Sequence, residues 1–107
     1  MERRKFTRYP IECPVSIRLL DADVTGEIAR GTTLNMASRG LLLATDRRLP
    51  QGASVEVTIE WPARLNERIG LRLVVRGSVL RCEQGRLAVL IRKHEFRLAG
   101  RNGAPRS

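Results

Sequence analysis

Aromatic side chains are scarce: Phe6, Tyr9, Trp61 and Phe96 are all that the chain has, 4% of its residues. Binders of single-stranded nucleic acid stack successive bases on several exposed rings, so this scarcity argues against that class even in a basic chain. Histidine is rarer still, with His94 alone, and only Cys13 and Cys82 carry thiols. The two cysteines lie far apart with no partner at metal-ligand spacing, so no zinc set can be written and two small, reduced, buried or nearly buried residues are the simplest reading. A lone histidine, no nucleophile pattern and no Walker-type phosphate loop leave nothing on which to build an enzyme, and no cofactor is implied. Asp21 and Asp23 fall in an apparent hairpin turn, where solvation explains them better than acid-base work. No run approaches the roughly 20 apolar residues that a spanning helix needs, and the opening Met-Glu-Arg-Arg-Lys-Phe-Thr-Arg lacks the apolar centre of a signal peptide. The expectation is a cytoplasmic protein without membrane insertion.

What the chain has in excess is positive charge. Twenty Lys and Arg against eleven Asp and Glu leave a formal +9 over 107 residues. That balance favours anionic partners such as nucleotides, nucleic acid or acidic surfaces, without choosing among them. The densest group is Arg3, Arg4, Lys5 and Arg8 near the N-terminus. The length suits one domain with a single modest core.

The apolar pattern has the period of strands. Val15, Ile17 and Leu19 alternate with Ser16 and Arg18, and Val55, Val57, Ile59 and Trp61 alternate with Glu56, Thr58 and Glu60. Residues 28–34 and 40–45 flank a polar turn, and residues 71–83 and 86–92 flank Gln84-Gly85, a connection suited to a hairpin. Six short strands with no helical period between them predict an all-β fold, a small six-stranded antiparallel β-barrel whose closure removes exposed edges. Gly77, within an apolar run, marks a bulge or bend of the long fifth strand. Residues 62–70 read as a loop or helical turn. The expected layout is a basic N-terminal segment over residues 1–10, a barrel over 11–94 and a flexible, frayed tail over 95–107.

Two short motifs carry the functional signal. Arg4 and Arg8, four positions apart, precede the first strand in a segment too poor in apolar residues to bury itself. Phe6 and Tyr9 could pin that segment to the barrel while the guanidinium forks engage guanine edges or phosphates. The second motif is Asn35-Met36-Ala37-Ser38-Arg39-Gly40. Asn tolerates left-handed backbone and Gly supplies positive φ, so a plain tight connection explains the run. A functional reading adds the Asn35 amide as donor and acceptor to a guanine edge, Gly40 as a point of close approach, and Ser38 or Arg39 facing the ligand.

In order, Arg4-x-x-x-Arg8 and Asn35-x-x-x-x-Gly40 resemble the PilZ domain family. The likeness extends to Arg8-Tyr9-Pro10 leading into Pro14-Val15, to Gly40-Leu41-Leu42-Leu43, and to Val75-Arg76-Gly77-Ser78-Val79 followed by Gly85-Arg86-Leu87-Ala88-Val89. The resemblance implies a six-stranded barrel, as the pattern does, and a signalling module that binds cyclic di-GMP, the bacterial second messenger. By that likeness Arg4 and Arg8 would grip guanine edges and phosphates, Asn35 would contact a base, Gly40 would allow close approach and Arg3 would add a phosphate contact. A downstream protein would read the change, the chain being a monomer or homodimer. The family's turn has Ser where this chain has Ala37, with Ser38 one place late. A lost neutral hydrogen bond costs about 0.5–1.5 kcal/mol, so weakened binding is implied rather than none. The alternatives are a PilZ-like protein-interaction module that does not bind the dinucleotide and, behind it, a basic barrel for single-stranded nucleic acid.

Overall fold

A computed structural model describes residues 12–20, 28–65 and 69–101. The elements are all strands: β1 (Pro14–Leu19), β2 (Ala29–Met36), β3 (Gly40–Thr45), β4 (Ser54–Leu65), β5 (Ile69–Glu83) and β6 (Arg86–Arg101). They pair antiparallel and close in the order β1-β2-β3-β6-β5-β4, with β4 returning to β1. The expected six-stranded antiparallel barrel is therefore the fold. Asp21 and Asp23 lie outside the described residues.

Alternation assigns the faces. Ile17, Leu43, Ile59, Leu87 and Val89 are fully buried and point inward, with Val75 at 1% exposure. Their removal from water, about 1.5–3 kcal/mol for each large side chain, is the main force closing the sheet. Cys13 belongs to this core and Cys82 packs half-buried against it.

Two sequence features shape the strands. Gln84 and Gly85 both have positive φ, 52° and 76°, and make the tight β5–β6 hairpin that the Gln-Gly pair suggested. At Gly77 the β5–β6 register shifts, and a Cβ there would collide with the carbonyl oxygen of Leu90. Only glycine lets the two backbones approach so closely, so the anticipated bulge is present for a packing reason.

Two expectations need correction. Residues 62–65 and 69–70 are not a loop or helical turn: β4 runs to Leu65 and β5 starts at Ile69, with residues 66–68 outside the described set. Pro62 is accommodated because the β4–β5 register skips between Trp61 and Arg64, where β4 has already run past its last partner on β1. Nor is the chain frayed from Glu95. β6 continues to Arg101, pairing Phe96 with Leu73 and Leu98 with Leu71. The upper parts of β4, β5 and β6 thus project beyond the barrel as a three-stranded arm. Trp61 meets Phe96 there edge to face, with ring centroids 5.3 Å apart.

Candidate functional site

The expected motif at Asn35 begins inside a strand. Asn35 pairs with Leu42 and Met36 with Leu41, while Gly40 opens β3, so only residues 37–39 turn. The Ala37 N–H donates to the Gly40 carbonyl at 2.9 Å, and the Ile91 N–H donates to the Arg39 carbonyl at 2.9 Å. Neither Asn35 nor Gly40 has positive φ, which corrects the reading that these residues serve the turn by left-handed backbone. Gly40 is useful for a different reason: a Cβ there would meet nothing within 4 Å, so the glycine opens space rather than relieving strain.

A register shift between Thr33 and Asn35 sets the local geometry. Thr33 points into the core and is fully buried, and its hydroxyl accepts a hydrogen bond from the Cys13 N–H at 2.9 Å. The Thr33 N–H in turn donates to the Cys13 carbonyl at 2.9 Å. The bulge then turns Asn35 to the outer face, half-buried, and among the described residues its amide has no hydrogen-bond partner. Those paired bonds tie the chain just before β1 to β2 immediately beside Asn35.

Outside the barrel, Asn35 and Gly40 border a shallow recess of about 230 Å³ that Leu42, Leu80 and Ala88 also line. Leu42 sits between Asn35 and Ala88 in the cross-strand row, and Leu80 lies at the register shift between Val79 and Arg81, 46% exposed. The recess therefore has an apolar floor, with Asn35 the one polar side chain among its described lining residues. That combination accepts a flat ligand carrying hydrogen-bonding edges. Ala37 lines the recess with a methyl group, and Ser38 and Arg39 are exposed at the turn without lining it. Arg3, Arg4 and Arg8 lie outside the described residues.

Sequence reasoning brought Asn35 and Gly40 to this place and missed Leu42, Leu80 and Ala88. A signal existed for Leu80, because the alternation of Val75, Gly77 and Val79 inward assigns it to the solvent face, where a large apolar residue is out of place.

A second recess, of about 250 Å³, is lined by Val74, Arg76, Lys93, His94, Glu95 and Arg97. Its charges largely answer one another. Arg97 Nε bonds to Glu95 Oε2 at 2.6 Å, and Arg76 reaches Glu56 Oε2 at 2.9 Å. Glu56 also takes Arg18 at 2.7 Å on its other oxygen, and its side chain is only 8% exposed. Burial alone would push the Glu56 carboxyl up, but the hydrogen bonds and charges of Arg18 and Arg76 outweigh it and hold the group below the ordinary glutamate value. The triad clamps β4 between β1 and β5, a structural role. His94 lies exposed at the rim of this recess. Among the described residues no group of His, Cys, Asp and Glu is placed to hold a metal ion, and no helix is long and apolar enough to cross a membrane.

The structure is thus a closed six-stranded barrel with an open recess on its wall, bordered by the Asn35 amide. Comparison with known proteins gives the family: residues 2–97 match the PilZ domain, a family of cyclic di-GMP receptor domains, and the chain belongs to that family. Its fold is similar to the crystal structure of the PilZ domain of CeSA from a cellulose-synthesizing bacterium, with TM-score 0.61, 17% identity and 81% of each chain covered. No curated protein matches the chain.

Proposed function

We propose that this protein is a cyclic di-GMP-binding signalling module in which Arg4 and Arg8 close over the recess bordered by Asn35 and Gly40. The observation that carries the reading is the Asn35 amide, without a partner among the described residues, beside the open space at Gly40 and above an apolar floor. A guanine base offers what such a place accepts: an apolar face for Leu42, Leu80 and Ala88, and a hydrogen-bonding edge for the amide. The Thr33–Cys13 bonds bring the chain past this point just before β1. An extended chain covers about 3.3 Å per residue, so the four residues from Glu12 back to Arg8 give a span of roughly 13 Å for the guanidinium to be carried toward the recess. Arg3 stands beside the pair as a further phosphate contact, and Ser38 and Arg39 rim the turn. Ordering the segment on its ligand would create a surface for a partner protein to read.

Isothermal titration calorimetry with cyclic di-GMP tests this. Saturable heat is expected, with Arg4→Ala or Arg8→Ala weakening affinity about tenfold or more, since charge-assisted forks supply the strongest contacts. No heat at high micromolar ligand would sink the reading. The methyl of Ala37 lining the recess supports a second reading, a PilZ-like interaction module that has lost the ligand. That reading predicts the silent titration.

A further inference from the structure

The arm leaves one strand half-paired. Gly40 is the last residue of β3 to pair with β6, opposite Leu90, and the Ile91 N–H reaches only the Arg39 carbonyl. Beyond Ile91 the second edge of β6 has no pairing partner among the described residues, although β5 remains paired on the other side. On the face that continues the barrel interior, this edge displays Phe96 at 52% and Leu98 at 59% exposure. On the opposite face it displays Glu95 and Arg97. A long free edge with exposed large apolar residues is a template for another strand.

The order of the side chains selects the strand. Glu95, Phe96 and Arg97 place an acid and a base symmetrically about an aromatic residue. If a second β6 lies antiparallel with the two-fold axis at Phe96, each Phe96 faces its counterpart, and each Glu95 faces an Arg97 on the same face of the joined sheet. Leu98 then lies opposite His94, so no like charges oppose each other between residues 94 and 98. Cross-strand pairs of both kinds, aromatic with aromatic and acid with base, stabilise antiparallel sheets. A two-fold interface must be self-complementary, and this segment is.

We propose that the chain forms a homodimer by antiparallel pairing of the β6 edges of two copies, centred on Phe96. Dimerisation joins the two arms into one continuous sheet and covers part of both Phe96 rings.

Sedimentation velocity on the full chain across micromolar concentrations tests the proposal through charge reversal. The wild type is expected at twice the mass of one chain. Glu95→Arg and Arg97→Glu alone each set like charges opposite one another twice per dimer, and each should raise the dissociation constant about tenfold. The double variant E95R/R97E restores opposite charges and should return the constant to near the wild-type value. Both side chains are more than half exposed, so the single variants should fold, and circular dichroism checks this. A monomeric wild type overturns the proposal, leaving the edge to another segment or partner. A dimer indifferent to the single reversals, or one that the double variant does not restore, also overturns it.

Discussion

Gly40 and Gly77 are the same residue type with opposite duties. A Cβ at Gly40 points into open space in backbone that any residue adopts, whereas at Gly77 it would overlap the Leu90 carbonyl. Gly77→Ala should therefore cost about 3 kcal/mol, the upper range for overpacking, read as a lower urea midpoint. Gly40→Ala should leave stability within about 0.5 kcal/mol, and under the proposed function its methyl at the recess should lower affinity for cyclic di-GMP in calorimetry. An unstable Gly40→Ala variant would show that the glycine serves the fold after all. The site was partly legible at this scale. Asn35 and Gly40 belong to one short motif, and their convergence on a recess needed only the register of β2 with β3. Leu80 and Ala88 come from β5 and β6, and no local pattern announces that those strands pass beside the motif.

Among the elements, the strands with strict alternation were readable, β1 and the first part of β4 above all, because one face is core and the other solvent. The end of β6 was not. Arg92, Lys93 and His94 interrupt the apolar rhythm, and the strand persists because β5 offers partners as far as Ile69, opposite Arg101. Pro62 hid the end of β4 in a similar way, since the register shift that admits it is a property of the pair of strands. The arm yields a direct prediction. A chain ending at His94 should lose about 2 kcal/mol, the order expected for uncovering one large apolar cluster, and its Trp61 emission should shift to the red as the Phe96 contact is lost. A frayed tail would give unchanged stability and emission.

At the level of the whole molecule, the barrel closes where β4 meets β1, and the Arg18–Glu56–Arg76 triad crosses that seam. Glu56 is held below the ordinary glutamate value when folded. A carboxyl shifted in that direction stabilises the fold at pH above its unfolded value, and the contribution fades as pH falls through the folded one. Glu56→Gln should thus be less stable than wild type by about 1–2 kcal/mol at neutral pH, because two guanidinium groups lose their charged acceptor. The gap should narrow as denaturation is measured at pH values below the ordinary glutamate range. A gap that stays constant into acid would assign the loss to shape rather than charge.

The proline at the end of β4 has a consequence for polymer growth. The arm has two outer margins, β6 on one side and β4 beyond Ile59 on the other, each paired only inward among the described residues. Were the two equivalent as docking strips, copies could join β6 to β4 head to tail and extend without limit into a fibre. Pro62 offers no N–H to such a ladder and sits where the β4 register skips. Joining β6 to β6, as proposed, would instead close after two copies, and the missing N–H of Pro62 weighs against the open-ended alternative.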